Sequence, residues 1–255
     1  MTVATRLPCA FWARPFAHRG LHAVAEGRAE NSLAAFDAAI AGGYAIELDV
    51  QASADGEAMV FHDYTLERLA EATGRVDARS AADLRGIALH GGGTIPDLAT
   101  VLARIDGRAN VLIEIKDQTG DYGATDGALE RHVCDIVRAN GHAGTCAIMS
   151  FNPHVILAVK AGAPEIPRGI VSYDFEHPSD AHVDPARRRA LADMTMIDVC
   201  EADFVSCGAA NLAHDPVVAL RSRGLPVFVW TIKSAAQARA ALARCDQITF
   251  EGYLP

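Results

Sequence analysis

The 255-residue sequence contains no CxxC pair, and its six cysteines (Cys9, Cys134, Cys146, Cys200, Cys207 and Cys245) are scattered without zinc-ligand spacing. A cysteine-ligated zinc centre is therefore excluded, and reduced thiols are expected rather than structural disulfides. A surplus of positive charge is also missing. Twenty-three Lys and Arg stand against 32 Asp and Glu, a formal net charge of −9, so no broad basic face for nucleic acid is expected. No uncharged run approaches the length of a membrane span. The opening MTVATRLPCAFWARPF lacks the basic start and long apolar run of a secretory signal. A cytoplasmic protein without stable membrane anchoring is expected. Internal repeats, low-complexity tracts and interdomain linkers are absent too. What is present is 50% hydrophobic and 22% charged, ample material for one domain spanning residues 1–255.

Short apolar runs alternate with alanine-rich helical stretches to the end of the chain. Strands are predicted at Phe16–His18, Ala45–Gln51, Val111–Lys116, Cys146–Ser150, Arg168–Val171, Phe204–Ser206, Val227–Thr231 and Gln247–Phe250. Helices are predicted at Ser32–Ala41, Asp97–Ile105, Asp126–Asn140, Pro153–Ala161, Pro185–Ala192, Asp215–Arg223 and Ser234–Arg244. The first has Asn31 as its expected N-cap and Gly42 as its stop, and Pro153 and Pro216 suit first-turn positions. Eight strands alternating with helices predict the α/β class and a parallel (β/α)8, or TIM, barrel. The alternative, an open doubly wound sheet, would carry a Gly-rich phosphate loop after its first strand. Here that strand ends in His18-Arg19-Gly20. One segment breaks the rhythm. After the second strand, Ser53-Ala54-Asp55-Gly56 signals a turn, Glu57–His62 returns as an extended run, and residues 64–94 read as an insertion over the catalytic mouth with a short helix near Ala81–Arg85.

Alternation along the strands selects the chemistry. In Ile46-Glu47-Leu48-Asp49-Val50 the apolar residues face one way and Glu47 and Asp49 the other. Two inward acids need a partner or a cation. If Asp55-Gly56 is a two-residue turn, Ala54 pairs with Glu57, and His62 falls opposite Asp49. In Val111–Lys116 the same alternation puts Glu114 and Lys116 on one face, so a neighbouring parallel strand brings Glu114 up to Glu47 and Asp49. Three carboxylates make a hard oxygen site for Mg²⁺ or Ca²⁺ rather than zinc. His18 and Arg19 close the first strand, at the end where such barrels place their active face. A histidine there serves as general acid or base, and Arg19 can hold a phosphate oxygen.

Taken in order, His18-Arg19-Gly20, Glu30-Asn31-Ser32, Glu47-Leu48-Asp49, Asp55-Gly56, His62-Asp63, Glu114-Ile115-Lys116 and Val229-Trp230-Thr231 resemble the glycerophosphodiester phosphodiesterase family over nearly the whole chain. The resemblance implies one divalent cation, Mg²⁺ or Ca²⁺, on Glu47, Asp49 and Glu114. It implies His18 and His62 as the acid/base pair and Arg19 and Lys116 as phosphate ligands. Trp230 is similar to the aromatic residue beside the glycerol moiety, and Glu30 and Asn31 to the substrate-site loop that supports the first strand. The implied reaction converts a small-molecule glycerophosphodiester to glycerol 3-phosphate and an alcohol, within glycerol and lipid metabolism. Two departures stand out. Ala29 and Ser32 replace the family's proline and threonine around Glu30-Asn31, and Glu251 stands two residues beyond Thr249 where an aspartate usually follows directly.

Three alternatives share the fold. A lysophospholipase D acting on lipid diesters would need an apolar mouth, and residues 64–94 contain no strongly apolar or basic amphipathic stretch. A non-catalytic phosphate-binding barrel would not need both histidines and all three acids. A sugar-phosphate isomerase or aldolase would need a nucleophilic lysine, and Glu114 beside Lys116 favours the charged form. Self-association as a homo-oligomer is compatible with the sequence.

Overall fold

Inward and outward residues alternate along the strands, which gives the sheet two chemically different faces. The computed structural model describes residues 5–255. Strand β1 (Phe16–Ala17) pairs in parallel with β2 (Ala45–Ala52) on one side and with β9 (Gln247–Phe250) on the other. Between them run β4 (Val111–Ile115), β5 (Cys146–Ser150), β6 (Arg168–Ser172), β7 (Phe204–Gly208) and β8 (Val227–Ile232), each parallel to the next. The result is the (β/α)8 barrel. Strand β3 (Ala58–Val60) is the exception, antiparallel to the end of β2. The surrounding helices are α1 (Leu33–Ala41), α3 (Leu98–Ile105), α4 (Ala128–Ala139), α5 (Pro153–Gly162), α6 (Pro185–Ala192), α7 (Asp215–Ser222) and α8 (Ala235–Leu242); α2 (Ala81–Arg85) belongs to the insertion.

The outer face is aliphatic. Ile46, Leu48, Val50, Ile113 and Ile115 pack on helices such as α3, whose Leu98, Val101, Leu102 and Ile105 recur at helical spacing and are buried. Asp97 caps that helix by accepting from Thr100 N at 2.7 Å. The inner face begins apolar. Phe16, Leu112, Phe204 and Phe228 fill the floor, with the Phe228 ring 5.6 Å from Phe16 and 5.2 Å from Phe204. Leu7 and Phe11, from the segment before β1, plug the floor from below. Above the floor, the inward positions become Glu47 and, one step further along β2, Asp49, with Glu114 on β4 beside Asp49 and Ser206 on β7.

Two local expectations are corrected. The N-cap of α1 is Ser32, whose side chain accepts from Ala35 N, not Asn31. Asn31 adopts a left-handed φ of 56° and its side chain is diverted to Asp49. The hairpin also differs by one residue. Ser53 N donates to Glu57 O at 3.0 Å and Gly56 N to Ser53 O at 3.0 Å, a three-residue loop with Gly56 at φ 85°. Ser53 Oγ and Asp55 brace it, the latter accepting from Ala81 N at 2.8 Å. Phe61 therefore stands opposite Asp49, its N donating to Asp49 O at 3.1 Å, and His62 lies beyond the strand. Gln51 holds it there. Its Nε2 donates to Phe61 O at 2.9 Å and Asp63 O at 2.7 Å, on either side of His62. The insertion has its own apolar cluster of Met59, Phe61, Leu66, Val76, Leu84 and Ile95.

The crowded floor supplies a test. A Cβ on Gly169, inward on β6, would overlap the Phe204 ring. Gly169→Ala is expected to lower stability by about 1–3 kcal/mol by overpacking, and Phe204→Leu in the same chain should recover part of it. Urea denaturation of the three chains reads this out, and an unperturbed Gly169→Ala would show that the floor has slack.

Candidate active site

Strand register brings the acids together. Asp49 on β2 is paired with Glu114 on β4, and Glu47 lies one inward step below. All three are buried, and one oxygen from each lies within 4.8 Å of the others. Lys116 Nζ sits 2.7 Å from Asp49 Oδ1 and 2.6 Å from Glu114 Oε1. Asn31 Nδ2 donates to Asp49 Oδ2 at 2.9 Å, and Arg19 Nε lies 3.5 Å from the same oxygen. Among the described residues, Glu47 accepts a hydrogen bond only from the Arg19 backbone N–H, at 3.0 Å. Burial alone would raise the Asp49 pKa, but the charges of Lys116, His62 and Arg19 hold it far below the usual carboxylate range. Glu47 goes the other way. Burial, then the negative charges of Asp49 and Glu114, push it well above. Three acids share two basic side chains, and Glu47 carries the deficit. An all-oxygen donor set with one uncompensated charge fits a divalent cation of the Mg²⁺ or Ca²⁺ kind. Lys116 is buried too, yet Asp49 and Glu114 keep its pKa raised, so it is a fixed cation and not an amine nucleophile.

The two histidines stand in matching environments. His18 Nδ1 lies 2.6 Å from Glu251 Oε2, and His18 Nε2 is 4.0 Å from Glu47 Oε2. Burial first, then the Arg19 charge, lowers the His18 pKa against the opposing pull of Glu251. The neutral ring therefore donates from Nδ1 to the carboxylate and leaves the Nε2 lone pair for the cavity. His62 Nδ1 lies 2.6 Å from Asp63 Oδ1. A chain of alternating charges connects it to the acids: Asp63 accepts from Arg68 at 2.6 Å, Arg68 reaches Glu30 at 3.1 Å, and Glu30 pairs with Arg19 at 2.5 Å.

His18, Arg19, Glu47, Asp49, His62, Glu114, Lys116 and Trp230 all line one cavity of about 100 Å³ at the C-terminal mouth. Glu30 and Asn31 do not line it. They brace Arg19 and Asp49 from behind. Strand β8 is bulged between Val229 and Ile232, so the consecutive Trp230 and Thr231 both reach the wall.

The sequence profile of the glycerophosphoryl diester phosphodiesterase family matches residues 18–250, a span that holds all ten of these side chains. The chain belongs to that family. It is an enzyme of it, and hydrolysis of glycerophosphodiesters is its activity. Among similar proteins, YhdW of Bacillus subtilis (strain 168) is 26% identical over 235 residues, 88% of this chain and 89% of YhdW. A glycerophosphodiester phosphodiesterase of Bacillus altitudinis is 32% identical over 161 residues, 56% of this chain and 64% of its own. The glycerophosphodiester phosphodiesterase structure from Agrobacterium tumefaciens str. C58 superimposes with a TM-score of 0.69 at 27% identity, covering 93% of this chain and 95% of that one. A phosphodiesterase of Oleispira antarctica, solved with the product sn-glycerol-3-phosphate, has the same fold, with a TM-score of 0.75 at 20% identity and coverage of 95% and 94%.

Sequence reasoning missed several groups in this candidate site. Glu251 is one. It stands just past β9 and holds His18, while Lys233 Nζ lies 2.8 Å from its other oxygen. Ser206 and Thr249 are others. Their hydroxyls are buried, line the cavity and have no hydrogen-bond partner among the described residues. Inward parity on β7 and β9 at the height of Glu47 was the signal available for both.

The Glu47 deficit has a sign that can be measured. Its folded pKa lies above the ordinary 4.5, so its protonation stabilises the fold fully below that value, and the contribution is lost as pH rises through the raised folded value. In chelator, Glu47→Gln is expected to be more stable than the parent, by a margin that widens from about pH 5 to about pH 8. Thermal melts of both chains across that range measure the margin. A constant gap would mean that Glu47 is already compensated.

Proposed function

We propose that the chain hydrolyses small, water-soluble glycerophosphodiesters to sn-glycerol 3-phosphate and a free alcohol, with His18 and His62 as the acid/base pair and a divalent cation on Glu47, Asp49 and Glu114. The observation that carries this reading is the pairing of two imidazoles, each tied through Nδ1 to its own carboxylate, around one three-acid cluster. The product complex of the Oleispira antarctica relative supports the glycerol 3-phosphate half. When bound, the cation supplies Lewis acidity towards a phosphate oxygen and a template for its orientation. The neutral His18 takes the proton of the attacking glycerol 2-hydroxyl at Nε2, and Glu251 stabilises the imidazolium that forms. His62 borders both the catalytic cavity and a second one beside it, which suits it to protonate the oxygen of the departing alcohol. Water then opens the cyclic phosphate with the proton transfers reversed. Arg19 and Lys116 offset charge on the transferring group, and the unpartnered Ser206 and Thr249 hydroxyls are available to substrate oxygens. The insertion, residues 64–94, supplies Arg68, which pairs with Asp63 at 2.6 Å. Of the large apolar side chains exposed among the described residues, only Tyr64 belongs to it, which favours soluble diesters over lysolipids.

His18→Ala and His62→Ala are each expected to lose roughly 10²–10⁴ in kcat, and the double variant less than the product of the two losses. Exhaustive chelation should abolish glycerol 3-phosphate release, and Mg²⁺ or Ca²⁺ should restore it. Near-parental turnover in either single variant, or full activity without metal, would remove that group from the mechanism. Glu251→Gln should move the acidic limb of kcat/KM to lower pH, since Glu251 raises the His18 pKa. An unmoved limb would assign that limb to another group.

A further inference from the structure

The catalytic cavity, about 100 Å³, has room for the phosphate but not for both arms of a diester. A second cavity of about 270 Å³ adjoins it, sharing His62, Lys116, Phe151 and Trp230 as the common wall. Its remaining surface comes from Tyr64 in the insertion, Asp117 and Tyr122 after β4, and Tyr173, Ser179 and Asp180 after β6. Phe151, Tyr173 and Trp230 meet edge to face, with ring centroids 5.5–6.2 Å apart.

The two carboxylates of this pocket are 5% and 3% exposed, and their hydrogen-bond donors are neutral. Asp117 accepts from Thr119 Oγ1 at 2.7 Å, from Gly120 N at 2.8 Å, from Tyr122 N at 3.1 Å and from Asn152 Nδ2 at 2.8 Å. Asp180 accepts from the Tyr173 hydroxyl and, at 3.3 Å, from the Tyr122 hydroxyl. Burial, reinforced by Asp180, pushes both phenols well above their ordinary value, which keeps them as donors. Lys116 is committed to Asp49 and Glu114 on the far side of the wall. Buried negative charge without a counter-charge is costly, and aromatic faces beside it attract cations and do little for anions.

We propose that this pocket, on the phosphodiesterase reading above, seats the departing alcohol and selects head groups carrying a primary or quaternary ammonium, such as ethanolamine or choline, over neutral and anionic ones. The phosphate cannot sit there, because both carboxylates repel it. The glycerol arm belongs beside the acid cluster, where its 2-hydroxyl reaches His18. The alcohol arm is left for the aromatic cavity, and His62 at the shared wall meets its oxygen.

The experiment compares kcat/KM for glycerophosphocholine, glycerophosphoethanolamine and glycerophosphoglycerol in the metal-loaded enzyme. A preference of roughly tenfold or more for the two cationic diesters is expected. Asp180→Asn should cut that ratio several-fold. Should that substitution disturb the fold, Tyr64→Ala, at a side chain 41% exposed, should cut it about threefold. Equal kcat/KM for the three diesters, or a ratio unchanged in both variants, would overturn the inference while leaving the phosphodiesterase reading intact. If none of the diesters releases glycerol 3-phosphate, that reading falls instead. Tetramethylammonium titrated against tryptophan fluorescence then reads the pocket alone: saturable quenching weakened in Asp180→Asn supports the inference, and none in the parent chain overturns it.

Discussion

Three carboxylates stacked inside a barrel, with too few cations to neutralise them, are the constraint around which the rest of the mouth is arranged. Asp49 takes Lys116, Arg19 and Asn31, and two of these come from residues held at a left-handed φ of 56°. Such backbone is sparsely populated and persists only where surrounding contacts over-determine it. Here Asn31 is fixed to a buried acid, and Arg19 is fixed through its own backbone N–H to Glu47 and through its guanidinium to Glu30. The alternating chain onward to Arg68, Asp63 and His62 makes the orientation of one imidazole part of the same electrostatic balance that holds the acids.

The barrel interior therefore has a vertical gradient. Phenylalanine rings and an N-terminal plug exclude water from the floor, and the first inward residues above them are charged. A low-dielectric floor strengthens every interaction immediately above it, which is why Glu47 departs so far from an exposed glutamate. The histidines sit one step higher, each oriented by a carboxylate that is itself held by a cation, Lys233 for Glu251 and Arg68 for Asp63.

Much of this was legible because strands carry a period of two. All eight barrel strands, the seven outer helices and the short helix at Ala81–Arg85 were readable from pattern, and alternation alone faced Glu47, Asp49 and Glu114 inward. His62 is more instructive. It lines the expected cavity although the hairpin register that seemed to put it there is one residue off; Gln51, gripping the carbonyls on both sides of it, does the placing. A side chain that reaches across ten residues leaves no periodic trace. The same holds for Asn31, which has cap chemistry but spends it on Asp49 while Ser32 caps α1. Glu251 was unreadable as a partner of His18 because the two are 233 residues apart. The aromatic cavity beside the site was unreadable because much of its wall comes from loops after β4 and β6 whose own sequences show no pattern.

Strand β1 is only two residues long, yet it closes the ring by pairing with both β2 and β9. Contacts of such sequence separation form slowly, since loop-closure entropy is lost before they reward it. Until β9 docks, β8 presents an unpaired edge, the kind of surface on which chains associate wrongly. Glu251 follows β9 directly and the plug residues precede β1, so the pairing of β9 with β1 also brings Glu251 to His18. A chain without that pairing would expose two strand edges and leave His18 without its carboxylate partner.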